Sequence, residues 1–182
     1  MNNKKMNELL PNAREFVCNS IDNVKNLPAE RNLPSKVNDN PAKTGNLLNI
    51  LKIRIGVPIV VTCNHSKKKF RKDGIMNGAR GYVQAVQVSK EDPDKVEVIW
   101  VVFHDENIGK LYRFEHRHLL KGFYPGHNLA TPILPQRKNF TLKMGNVEYQ
   151  RSNLPLSLAS VITAHKCQGE TLNEDIIDFG SD

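Results

Sequence analysis

Leu158-Ala-Ser-Val-Ile-Thr-Ala-His-Lys-Cys-Gln-Gly-Glu-Thr-Leu172 joins an apolar run to a polar loop that carries a glycine. Leu158, Val161 and Ile162 suit a buried β-strand, because a strand covered on both faces needs no polar alternation. Thr163, His165, Lys166 and Gln168 then supply a hydroxyl, an imidazole, an ammonium and an amide, and Gly169 lets backbone come close to a ligand. Ligands sit at such strand ends in open α/β sheets. The loop alone leaves a plainer alternative open, in which Thr163 ends a strand, His165 lies on the surface and Gly169 only turns the chain.

Two upstream segments bear on that choice. Leu51-Lys-Ile-Arg-Ile-Gly-Val-Pro-Ile-Val-Val-Thr-Cys-Asn64 contains a compact apolar strand, Val57 to Thr62, with Pro58 tolerable near its start. Met76-Asn-Gly-Ala-Arg-Gly-Tyr-Val83 follows. There Asn77-Gly78 predicts a tight turn, since both residues tolerate positive φ, and Gly81 permits close backbone approach. Asn64 leaves the strand beside this turn and is expected to position it. Thr163 to Thr171 resembles motif V of the PIF-type, RecD-like superfamily 1 DNA helicases. The two upstream segments resemble, in similar order and spacing, that family's entry into a small inserted barrel. The resemblance spans roughly residues 44 to 180, and residues 1 to 43 match only loosely.

The resemblance implies an α/β fold: a partial RecA-like second helicase domain of the P-loop NTPase type, with an inserted small SH3-like β-barrel. Residues 1–46 form a helical and irregular N-terminal segment, 47–77 a RecA-like strand and basic loop, 78–122 the barrel, and 123–182 the return to the RecA-like domain. By the same resemblance Thr163, His165 and Lys166 contact single-stranded DNA, while Gln168, Gly169 and Thr171 couple to the nucleotide cleft. Cys167 departs from the family, where serine is frequent, and a thiol is the poorer hydrogen-bond donor. No Gly-x-x-x-x-Gly-Lys-Ser/Thr loop occurs, and the family's final arginine-bearing motif would fall beyond Asp182. ATP and Mg2+ serve the full-length family, and none is expected to bind this chain alone, which is predicted to lack ATPase activity. The implied partners are single-stranded DNA and an N-terminal helicase domain, with a monomeric chain and translocation from 5′ to 3′ on the strand. A different class competes: a degenerate, helicase-derived module that binds nucleic acid or protein without motor activity.

With 182 residues the chain can bury one good core or two small ones without disulfides. Three cysteines, Cys18, Cys63 and Cys167, are widely spaced and odd in number, which reads as a reducing compartment. No apolar run approaches the roughly 20 residues that span a bilayer. A soluble intracellular protein is expected, nuclear with a mitochondrial alternative. Twenty-six Lys+Arg against 19 Asp+Glu leave +7, which favours a polyanionic partner.

Five cations in Lys67-Lys-Lys-Phe-Arg-Lys72 surround one aromatic. Lys68, Lys69 and Arg71 are candidates for phosphate contact, as is Asn64 nearby, with Phe70 stacking on a base. A solvated loop and a nuclear import signal are the alternatives. His104, His116, His118 and His127 match no zinc spacing, and Cys63, His65, His165 and Cys167 make only a weak ligand set, so no metal site is expected. No Gly-x-Ser-x-Gly occurs, which argues against that class of hydrolase.

The remaining elements follow from periodicity. Met6 to Val24 has weak helical spacing, residues 26 to 46 read as an irregular connector, and Leu47 to Leu51 as a helical turn. Arg80 to Val88, Lys95 to Phe103 and Gly109 to Glu115 read as strands, the last placing His116 and His118 on one strand face. Val96, Val98, Trp100 and Val102 oppose Ile99, Val101 and Phe103 with Glu97, so that strand is buried on both sides or packs an insert against its parent domain. Phe123 to Pro135, rich in Pro and Gly, is expected to lead out of the barrel toward Phe140 to Tyr149.

Overall fold

A computed structural model describes residues 13–25, 40–142 and 147–159. Among the described residues ten strands run β1 Phe16–Asn19, β2 Ile21–Val24, β3 Ile50–Ile53, β4 Pro58–Val61, β5 Arg80–Val88, β6 Val96–Phe103, β7 Thr131–Ile133, β8 Gln136–Leu142, β9 Val147–Asn153 and β10 Leu156–Leu158. Two short helices, α1 Lys68–Lys72 and α2 Lys110–Glu115, flank the β5–β6 hairpin in sequence. Every strand ladder among the described residues is antiparallel.

The main sheet has the order β10-β4-β5-β6-β7. β6, between β5 and the edge strand β7, is buried from Val98 to Phe103. Ile99, Val101 and Phe103 enter one core with Ile53, Ile59, Val61, Val83 and Leu156. Val98, Trp100 and Val102 enter a second cluster with Tyr82, Ala85 and Phe123. The two-faced burial expected from the sequence is therefore present. Val96 departs from it, packing against the first core where the ladder slips between Gln87 and Val88. Gly81 is required: a Cβ there would run into the Val102 carbonyl of the paired strand.

The expected barrel does not close. β10 and β7 are the sheet's two edges, with no ladder between them. Each has three residues, and β7 carries Pro132, which has no N–H to extend pairing.

A three-stranded sheet, β2-β9-β8, and the pair β1-β3 complete the fold. β1 pairs with β3 and β2 with β9, so the chain changes sheets at Ser20, whose N–H donates to the Asn49 carbonyl at 2.7 Å. Arg151, fully buried, holds the three-stranded sheet to the 40–47 loop. Its Nε and Nη2 donate to the two Asp22 carboxylate oxygens at 2.8 and 2.7 Å, and its Nη1 donates to Thr44 Oγ1 and the Leu47 carbonyl.

Several sequence expectations are corrected. Residues 16–24 are strands, not helix, because β3 and β9 offer them ladders that local spacing cannot reveal; Met6 to Asn12 lie outside the described residues. Ile50 and Leu51 belong to β3. Gly109 to Glu115 is not a strand: Gly109 turns the chain at φ +79°, and α2 follows. His116 is that helix's last cap, and His118 lies in a 3-10 turn, Arg117–Leu120. The 123–135 connector re-enters the main sheet as β7, pairing Ile133 with Ile99.

Candidate nucleic-acid interface

The basic run is a helix rather than a loop, because its single aromatic is a foot. Phe70 is 1% exposed and meets Tyr112 and His65 edge-on, with ring centres 4.7 and 4.8 Å away. Ile75 and Ile108 complete this small core. Phe70 is therefore not free to stack on a base, contrary to the sequence expectation. Its burial turns the cations of α1 outward.

Asp73 locks the arrangement. Its carboxylate accepts from the Leu111 and Tyr112 amides at 3.0 and 2.8 Å, and its carbonyl accepts from Gly109 N. The first amides of a helix lack partners within it, so a carboxylate at the end of α1 caps α2.

The cations divide into two groups. Lys67, Lys68 and Lys72 are exposed on α1 and its preceding residue. Lys69 is committed to Glu115 at 2.6 Å, and Arg71 donates to the His65 and Ser66 carbonyls at 3.1 Å. Of the sequence candidates here, Lys68 faces solvent while Lys69 and Arg71 brace the helix. Asn64 Oδ1 accepts from Asn77 N at 2.9 Å, so Asn64 does hold the turn at Gly78, where φ is +95°. Lys138 of β8 donates to the Asn64 carbonyl and adds a cation that the sequence reading had not singled out.

His65 reports the field these cations create. Burial first, then the charges of Lys67, His116, Lys138 and Arg71, push its pKa down to about 4. Its Nδ1 accepts from Lys67 N at 3.1 Å, which also requires a neutral ring. Burial raises the Tyr112 phenol to about 12, keeping that core member uncharged.

Thr163, His165, Lys166, Gln168, Gly169 and Thr171 lie outside the described residues, as does Cys167. Cys18 and Cys63 are free and buried thiols. Among the described residues no three His, Cys, Asp or Glu side chains converge to hold a metal. The sequence contains no glycine-lysine phosphate loop. No helix among the described residues is long and apolar enough to cross a membrane.

No family model matches the chain, and no curated protein matches it significantly. Solved structures do. The fold is shared with a segment of larger solved structures. A crystal structure of Pif1 helicase from Candida albicans shares it at a TM-score of 0.53 and 20% identity, over 94% of this chain and 34% of that one. A structure of two coordinating Pif1 helicases at forked double-stranded DNA aligns at a TM-score of 0.47 and 19% identity, over 92% of this chain and 28% of that one. The chain thus spans about a third of the length of the structures it matches.

Proposed function

We propose that the chain is the C-terminal part of an ATP-dependent 5′–3′ DNA helicase, a RecA-like portion with an SH3-related insertion, whose task is to grip single-stranded DNA. The fold shared with Candida albicans Pif1 helicase carries this reading. The foot-anchored cationic helix supports it, because lysines held outward on a fixed element suit backbone phosphates. In this reading Thr163, His165 and Lys166 hold sugars or phosphates, with Asn64, Lys68, Lys69 and Arg71 shaping the adjoining basic face. Gln168, Gly169 and Thr171 pass the state of the nucleotide cleft to the strand. ATP and Mg2+ belong to an N-terminal motor domain outside this chain, and the chain by itself hydrolyses no ATP.

A second reading is favoured by the exposed lysines of α1 and the residue before it, Lys67, Lys68 and Lys72. It makes the chain a binding module without motor activity. Anisotropy of a labelled oligothymidylate, measured against salt, separates the two. A helicase part loses affinity steeply with salt and loses more on Thr163→Ala or His165→Ala. Affinity untouched by those changes but abolished by neutralising Lys67, Lys68 and Lys72 would leave only the basic module. Magnesium-dependent ATP hydrolysis by the purified chain would overturn both.

A further inference from the structure

α2 has two sides. One packs on Phe70; the other, with the 3-10 turn that follows it, borders a cavity of about 170 Å3. That is well below the roughly 300–1,000 Å3 of sites for drug-sized ligands, and it suits a single ring system. Its apolar walls are Trp100, Phe123, Pro125 and Pro132, with Trp100 and Phe123 stacked at 5.9 Å and 18°. Such walls accept a flat aromatic better than a branched aliphatic chain.

The polar rim has a definite pattern. His116 Nδ1 lies 2.8 Å from the Tyr112 carbonyl, which can only accept, so Nδ1 carries a proton and is turned away from the cavity's free polar positions, leaving Nε2 at the rim. His127 Nδ1 accepts from Leu129 N at 3.1 Å, so its Nε2 carries the proton and donates. Arg117 adds a cation; one of its nitrogens donates to the Phe114 carbonyl and its guanidinium lies 4.4 Å over the Phe114 ring. Among the described residues that line the cavity there is no carboxylate. Flat walls, polar groups at His116, His127 and Asn128, the cations Arg113 and Arg117, and no carboxylate together suit a nucleotide: a base with a hydrogen-bonding edge, joined to a phosphate.

We propose that this cavity takes one unstacked nucleobase of a single-stranded nucleic acid, with Arg117 on the adjoining phosphate. Tyr124, 71% exposed at the same cavity, stacks on the next base. The inference rests on the single-strand reading above and names what that strand inserts. His116 links the two surfaces, lying 3.9 Å from Tyr112 and 5.8 Å from Phe70 between ring centres.

Trp100 is the only tryptophan of the chain and forms a wall of the cavity, so its emission reports entry. The full chain is titrated with oligothymidylate and, separately, with the same sugar-phosphate chain lacking bases, while anisotropy follows binding. The expected result is a saturable loss of Trp100 emission with the oligothymidylate and none with the baseless chain. Tyr124→Ala and Arg117→Gln, both exposed positions, should each weaken oligothymidylate binding by about tenfold. Equal quenching by the baseless chain overturns the base pocket in favour of a phosphate site. Oligothymidylate binding that leaves Trp100 unchanged overturns it too, yet leaves the single-strand reading standing. No binding of either probe overturns both.

Discussion

The five-stranded and three-stranded sheets hold together by different chemistry. In the main sheet β6 is apolar on both faces, and its stabilisation is spread over side chains such as Ile99, Val101 and Trp100, each buried among several others. In the β2-β9-β8 sheet much depends on Arg151, whose charge is removed from water and answered by Asp22, Thr44 and the Leu47 carbonyl. Apolar burial is divisible, so the loss of one methyl group is a fraction of the whole. A buried ion pair is not divisible, because removing one partner strands the other.

The largest test of that contrast is Asp22→Ala, which leaves Arg151 buried without its anion. It should cost about 3–5 kcal/mol in urea denaturation, and a loss under about 1 kcal/mol would erase the distinction between the sheets. His65 is a second polar group set in apolar surroundings. Its folded pKa, about 4, lies below the ordinary 6.5, so between those values the unfolded chain binds more protons. Stability is full above about pH 6.5 and should fall by at most about 3 kcal/mol as pH drops to about 4; urea midpoints at stepped pH, with His65→Gln flattening the profile, would check this. Ile99→Val, in the core beneath the main sheet, should cost only about 1 kcal/mol in the same assay. Smallest of all in stability is the joint change of Lys67, Lys68 and Lys72 to Gln, expected within about 0.5 kcal/mol. The same variant should lower the salt slope of single-strand binding by about 2.

Strands were legible where burial is local. β4, β5 and β6 announce themselves through β-branched and aromatic runs, and the Asn77-Gly78 turn through its dipeptide. Elements fixed by distant partners were not. α2 reads as a strand because Leu111, Tyr112 and Phe114 are closely spaced, yet Phe114 is 64% exposed, and the cap that makes the segment helical comes from Asp73, 38 residues away. The same holds for β1, whose ladder partner is β3, and for Phe70, whose burial depends on Tyr112. Of the candidate site, the cationic run was visible in composition. Its division into exposed lysines and bracing residues was not, since Glu115 and the His65 carbonyl are supplied by the fold. The cavity at Trp100 was hidden because Tyr124-Pro-Gly-His127 looks like a plain connector, although an aromatic, an imidazole and a proline so close together were the available signal.

Asp73 carries a lesson for anyone wishing to move the cationic surface elsewhere. Helices of five and six residues do not persist alone in water, and α2 takes its N-terminal cap from the end of α1 through a single carboxylate. A synthetic peptide of residues 67–73 would keep the charge and lose its direction. The smallest transplantable unit runs from His65 to His116 and brings the β5–β6 hairpin with it.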